Sequence, residues 1–247
     1  MTIHDAHHPF RVGVLLWLIG CLLTTTCGPG KGRTPEIVMP SADTMQRVGL
    51  QEPENSIALG YDYDTSRWVE IPDRAPFHLD LRYAENRNFT GNTIYPCGRC
   101  FLKKVAGEAL LALEDTLTTL GMGLILWDCY RPAQAQQLLW ETFPNASYVT
   151  PPSKGSMHSR GLAVDLGLTD SAGHMLDLGS DFDHFGQEAH RDFKGLAEEV
   201  RMRRQMLDQW MHQAGFAGIR TEWWHYSYRQ AFAAVDSFQW TCISVNE

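Results

Sequence analysis

Ser156-Met-His-Ser-Arg-Gly-Leu-Ala-Val-Asp165-Leu-Gly-Leu168 is the stretch from which the rest of the chain can be read. Residues 161–168 (GLAVDLGL) are a short apolar run behind a Ser/Gly turn, and the run reads as a buried strand. Ser171-Ala-Gly-His174 then reads as a turn. A turn running into a strand can bring the imidazole of His158 and the carboxylate of Asp165 to one point. Both are good zinc ligands, and a catalytic zinc typically takes three protein ligands and a water. Taken alone, the pair fits a core histidine and a surface aspartate equally well.

Working outward, Leu124-Ile-Leu-Trp127 reads as a second buried strand. It ends in Asp128-Cys-Tyr-Arg131-Pro132, and the proline opens a helix over roughly 132–142. Residues 192–214 read as a long amphipathic helix with Leu196, Val200, Leu207, Trp210 and Met211 inward and Gly215 as its stop. Thr221-Glu-Trp-Trp-His-Tyr226 is a strand loaded with aromatics. Towards the N-terminus, Trp68–Ile71 and Phe77–Tyr83 alternate as short strands or extended segments, and 86–92 is loop chemistry. Residues 101–120 place Val105, Leu110, Leu113 and Leu117 at helical spacing before Gly121. Helices and strands alternate irregularly, with no βαβ rhythm. The expected architecture is α+β, a single domain with an antiparallel sheet packed against helices.

The 247 residues carry 29 acids against 21 bases, a formal charge of −8, with 44% hydrophobic residues. That balance supports a real core and excludes a disordered chain, a collagen-like repeat and a small disulfide scaffold. An acidic chain argues against nucleic acid as partner, since phosphate neutralisation needs a basic face. No Lys/Arg cluster longer than Arg203-Arg204 exists to support polybasic membrane binding.

Residues 12–23 (VGVLLWLIGCLL) lack charge and proline. They are short of the about 20 apolar residues of a bilayer span and suit a signal-peptide core. The expectation is therefore a leader over 1–27 and an exported protein of the periplasm or cell envelope. Lipidation is expected at Cys21 or Cys27: Leu18-Ile-Gly-Cys21 resembles a lipobox, while Cys27 precedes a Gly/Pro linker. Losing the leader removes one acid, Asp5, and one base, Arg11, so the −8 stays with the mature chain. Residues 28–65 read as a linker or loosely held arm, and 66–247 as the domain. If the mature chain begins at Cys27, the remaining Cys97, Cys100, Cys129 and Cys242 can pair in three ways. Cys97-Gly-Arg-Cys100 has no second CxxC, which tells against a zinc ribbon and leaves a disulfide or separate cysteines.

Period-two alternation puts Glu222 on the opposite strand face from His225, unless the strand ends or bends between them. A glutamate among tryptophans is costly to bury without a metal or hydrogen-bond partner, and burial raises its pKa towards the range useful for proton transfer. Arg131, where a buried strand meets a helix, either points into a cleft to stabilise an oxyanion or pairs with Asp128. The acids of Asp177-Leu-Gly-Ser-Asp-Phe-Asp183 are either calcium-like or solvated. His174, His184, His190 and His212 read as surface or capping residues.

Together SxHxxGxAxD (156–165), EWWH (222–225) and Asp128-x-Tyr-Arg131-Pro resemble the VanX-type D-alanyl-D-alanine dipeptidases. These belong to a zinc peptidase superfamily that also includes D,D-carboxypeptidases and the hedgehog domain. Tyr83-Ala-x-x-x-Asn-Phe-Thr-Gly91 and Gly179-Ser-x-Phe-Asp183 extend the similarity over about 66–228. The resemblance implies one zinc in a cleft, bound by His158, Asp165 and His225. It implies Glu222 as general base and then acid, and Arg131 as transition-state stabiliser. Asp183 and Tyr83 would hold the dipeptide's ammonium, and Ser156 its carboxylate end. The implied partner is a small D,D-dipeptide, with membrane contact only through the lipid anchor. Alternatives are a D,D-carboxypeptidase or endopeptidase acting on peptidoglycan stems, and a non-catalytic zinc-binding lipoprotein. One departure stands at the front, because resistance-type relatives are cytoplasmic and lack a leader.

Overall fold

The computed structural model describes residues 60–242. The expected leader, both lipidation candidates and most of the expected arm lie outside the described residues. The arm's last residues are docked: Asp62 pairs with Arg99 at 2.6 Å, and the Tyr63 ring lies 5.0 Å from that of Phe101.

The elements in chain order are β1 (Trp68–Ile71), β2 (Phe77–Leu79), β3 (Cys100–Lys103), α1 (Lys104–Leu111), α2 (Glu114–Thr119) and β4 (Met122–Asp128). There follow α3 (Ala133–Thr142), β5 (Ala163–Asp170), α4 (Glu198–Gln213), β6 (Phe216–Ile219) and β7 (Glu222–Tyr228). A five-stranded sheet runs β2-β4-β5-β7-β6, and β1 and β3 form a separate antiparallel pair. The α+β expectation holds, with one difference: edge strand β2 runs parallel to β4, while the other pairs of the sheet are antiparallel. Central strand β5 is buried over Ala163–Thr169. α4 packs on β6 and β5, α2 on β4, and α1 on β1 and β3. Trp68, Trp127, Trp223 and Trp224 fill the core, each at 1% exposure or less.

Three expectations change. Residues 101–103 belong to β3 rather than to a helix, because they pair with β1 (Phe101↔Glu70, Leu102↔Val69), a partner thirty residues away that helical spacing cannot register. The helix begins at Lys104 and leaves Val105 exposed. The strand or extended segment expected over Phe77–Tyr83 is strand only to Leu79 and ends before Arg82–Ala84, a 3₁₀ turn that tucks Tyr83 inward at 2% exposure. The long helix starts at Glu198, not 192, because Arg191 is held against the β6–β7 turn by its backbone N–H on Arg220 O at 2.9 Å.

Four cysteines form two disulfides, Cys97–Cys242 and Cys100–Cys129, so Cys97 and Cys100 are not joined to each other. Cys97–Cys242 pins the last described residues, whose Phe238 stacks on Trp68 at 4.6 Å.

Candidate active site

His158 opens a 3₁₀ turn, His158–Arg160, that ends on Gly161 at φ +69°. A Cβ on Gly161 would meet the Trp68 ring at 2.6 Å, so close packing and the left-handed backbone both call for glycine. The turn delivers the chain into β5, and Asp165 then faces His225 directly across the β5–β7 ladder.

The three side chains converge. His158 Nε2 lies 3.0 Å from His225 Nδ1, and Asp165 Oδ1 lies 3.3 Å from the first and 3.0 Å from the second. These separations approach the edge of about 3.3 Å of a tetrahedron with zinc–ligand bonds near 2.05 Å. The His158 Nδ1–H donates to Cys129 O at 2.8 Å, which fixes the tautomer and leaves the Nε2 lone pair pointing inward. His225 Nε2 meets Ser227 Oγ at 2.9 Å. Three buried donor atoms aimed at one point repel one another unless a cation joins them, so the residues fit zinc.

Glu222 lines the same cavity although strand alternation would separate it from His225. A bulge is the reason: Gly218↔Tyr226 is followed by Ile219↔Glu222, so Trp223, Trp224 and His225 have no partner in β6. Burial, then the negative charges of Asp165 and Asp183, push the Glu222 carboxyl well above its ordinary range.

For Arg131 the cleft and the pair with Asp128 are not alternatives. It lines the cavity, and Asp128 Oδ2 accepts from its Nε at 2.9 Å and its Nη2 at 2.5 Å. Nη1 donates to Gln136 Oε1 at 2.9 Å. The Asp177–Asp183 loop is neither calcium-like nor wholly solvated, because it turns Asp183 into the cavity while Asp181 stays exposed. Asp183 is the one non-glycine residue with positive φ (+58°) among the described residues, strain of a kind that concentrates at functional sites. Tyr83 O–H donates to its Oδ2 at 2.8 Å. Burial, then the charge of Asp165, raises the Asp183 carboxyl to about 7. Ser156, also on the lining, accepts the His158 backbone N–H at 3.2 Å. All eight residues singled out from the sequence therefore meet in one cavity of about 190 Å³, smaller than the ~300–1,000 Å³ of sites for drug-sized ligands.

A model of the D-Ala-D-Ala dipeptidase family of peptidases matches residues 73–243. The chain belongs to that family. The D-alanyl-D-alanine dipeptidase of Escherichia coli K12 is 38% identical over 169 residues, covering 68% of this chain and 88% of that protein. The D-alanyl-D-alanine dipeptidase of Enterococcus faecalis V583 is 33% identical over 168 residues, covering 60% and 83%. Among solved structures, a mutant of the vancomycin resistance D,D-pentapeptidase VanY, in complex with Zn(II), aligns with 52% of this chain and 73% of its own, at 20% identity and a TM-score of 0.34.

Around the dipeptidase motifs stand residues that sequence reasoning did not single out. Tyr95 donates to Asp128 Oδ1 at 2.6 Å, and nothing local in the sequence signals it. Ser227 could have been found, since it lies two residues after His225 on the same strand face. Phe89, Tyr148 and Phe185 line the cavity, and Phe185 stacks on Phe143 at 4.9 Å. They come from three separate loops, so no spacing unites them. His174 and His184 are exposed beside Asp170 and Glu188, as expected of surface residues.

Proposed function

We propose that this chain is a zinc metallopeptidase that hydrolyses D-alanyl-D-alanine, with the eight cavity residues in the roles given below. The observation that carries the proposal is the single cavity on which the His158–Asp165–His225 cluster, Glu222, Arg131 and the Tyr83–Asp183 pair all open. Bound zinc supplies Lewis-acid chemistry, acidifying a water and drawing charge from a carbonyl oxygen.

The chain's own groups do the rest. Asp183, oriented by the Tyr83 hydroxyl, takes the substrate ammonium, and Ser156 meets the carboxylate end. Asp128 and Gln136 hold the Arg131 guanidinium so that it stabilises the oxyanion formed on attack. Glu222 removes a proton from the attacking water and delivers it to the leaving amine as the peptide C–N bond breaks. Burial and the neighbouring acids raise the Glu222 pKa, while a cation among the ligands pulls it back down. An N-acylated substrate would leave Asp183 buried and unpaired, which favours a free dipeptide over a peptidoglycan stem.

Zinc-loaded protein assayed side by side on D-Ala-D-Ala, L-Ala-L-Ala and a stem pentapeptide tests the reading. Turnover confined to D-Ala-D-Ala is expected. Preference for the pentapeptide would make the chain a D,D-carboxypeptidase, and no turnover would make it a zinc-binding protein.

The export reading belongs to the same proposal: a leader over 1–27, an arm over 28–65 and a catalytic domain over 66–247, acylated at Cys21 or Cys27. Two disulfides support an oxidising compartment. Mass spectrometry of the mature N-terminus from a membrane fraction tests it, with a diacylglyceryl-modified Cys21 or Cys27 as the expected product.

A further inference from the structure

The bulge that brings Glu222 and His225 together leaves a problem of its own. β7 pairs with β5 up to Asp165↔His225, but between Glu222 and Tyr226 it has no ladder partner in β6. Carbonyl oxygens freed in this way need donors, since an unmet buried carbonyl is costly.

One guanidinium meets them. Arg191 Nε donates to Ile219 O at 2.9 Å, and Nη2 donates to Trp223 O at 2.9 Å and His225 O at 3.2 Å. The side chain thus ties together the two strands that flank the bulge, at the residue after Glu222 and at His225 itself. Its third nitrogen, Nη1, is held by Asp208 Oδ1 at 2.5 Å and lies 3.3 Å from the Tyr226 hydroxyl. The guanidinium also sits over the Tyr226 ring, 4.4 Å from its centroid.

Gly218 makes the room. A Cβ built there would lie 2.0 Å from Arg191 Cζ, 2.1 Å from Nη2 and 2.3 Å from Nε. The guanidinium rests flat against the β6 backbone at the point where the register shifts, and any side chain at 218 would displace it.

We propose that Arg191 is a positioning residue for the hydrolysis assigned above: it fixes the β7 bulge so that the proton-transfer group Glu222 and the metal ligand His225 open on the same cavity. The proposal rests on that functional reading. Lysine cannot take over the role, because one ammonium on a flexible stem does not reproduce a planar fork spanning three carbonyls. It would keep the charge near Asp208, so charge alone is separable from the clamp.

Arg191→Lys and Gly218→Ala are compared with the parent chain, full length and zinc-loaded. The readouts are kcat and KM on D-Ala-D-Ala, the thermal midpoint, zinc affinity by chelator competition, and the visible spectrum of the Co(II)-substituted protein. Both variants are expected to lose kcat on the order of 10–100-fold with KM little changed. Zinc affinity should fall on the order of 10–100-fold, with an altered Co(II) spectrum. Should Arg191→Lys fail to fold, Gly218→Ala probes the same clamp from the other side. Parental kcat and an unchanged Co(II) spectrum in either folded variant overturn the proposal. So does a kcat loss that vanishes when normalised to folded protein. If the parent chain does not hydrolyse the dipeptide, the functional reading falls. In that case unaltered zinc affinity and Co(II) spectra in the variants would sink the clamp separately.

Discussion

Asp128 Oδ2 accepts two hydrogen bonds from Arg131, from Nε at 2.9 Å and from Nη2 at 2.5 Å, with both side chains buried. Its other oxygen accepts from Tyr95 O–H and from the Cys129 N–H. The carboxylate thus fixes the guanidinium of Arg131, which lines the cavity. Removing one partner of a buried ion pair leaves an uncompensated charge and costs about 3–5 kcal/mol. Asp128→Asn is therefore expected to lower the denaturant midpoint. It should also cut kcat on the order of 10–100-fold with KM nearly unchanged, if Arg131 has the transition-state role proposed for it. Steady-state kinetics beside urea unfolding checks both; an unchanged kcat would detach Asp128 from the site.

Glu222 is assigned proton transfer and not metal binding. Glu222→Ala should abolish hydrolysis, a loss of at least the order of 10²–10⁴-fold typical of general acid–base groups, while one zinc per chain stays bound. Metal analysis of the purified variant together with its turnover distinguishes the outcomes. Loss of zinc would make Glu222 a ligand, and retained activity would end its catalytic role.

Only the His158–Asp165 half of the cluster lies on local sequence, one turn and the strand it feeds. Spacing let imidazole and carboxylate meet there but fitted a core histidine and a surface aspartate as well, and the family motifs supplied the full ligand set. Glu222 and His225 were not legible in the same way, since period-two alternation sends them to opposite faces. What reverses that is a bulge stabilised by Arg191, thirty-one residues upstream of Glu222, and by the bare backbone of Gly218. Residues 101–103 misread for a related reason: helical spacing is a local signal, and pairing with Val69 and Glu70 is not. The cysteine pairing needed the fold as well, because Cys129 lies at the end of β4 and Cys242 far along the chain.

Asp183 predicts a pH dependence. Its carboxyl is raised to about 7 in the metal-free protein by burial and by Asp165. Only the carboxylate attracts an ammonium, so dipeptide affinity should strengthen as pH rises through the Asp183 pKa. Bound zinc adds a nearby cation, which places the step in the loaded enzyme at or below about 7. Asp183→Asn should raise KM and remove the step, as a KM profile from pH 5 to 9 would reveal. Stability of the metal-free chain moves the opposite way. A carboxyl whose folded pKa is raised from 3.8 to about 7 favours the folded state at low pH and loses that contribution as pH climbs towards 7. An unfolding midpoint in chelator that did not fall over this window would contradict the raised Asp183 pKa.

Cys100–Cys129 links a structural crosslink to the metal. Cys129 offers its carbonyl to His158 Nδ1 at 2.8 Å, and its sulfur is tied to Cys100 on β3. The two disulfides close sequence separations of 29 and 145 residues. On a chain-entropy basis such loops contribute up to about 3.6 and about 5 kcal/mol. Removing either bridge by paired Cys→Ala substitution should lower stability, more for Cys97–Cys242. Metal affinity should respond in the other order. Losing Cys100–Cys129 frees the carbonyl that orients His158, so zinc retention against a chelator should weaken on the order of 10–100-fold, the usual cost of a lost outer contact. Losing Cys97–Cys242 releases the C-terminal strap, which reaches His158 indirectly, through the Asp236 N–H on Ser159 O and the Arg160 Nη1 on Ala233 O. Its zinc affinity should stay closer to the parent's. Equal effects of the two deletions on zinc, with each variant confirmed folded, would show that the Cys129 carbonyl holds its place without the sulfur bridge.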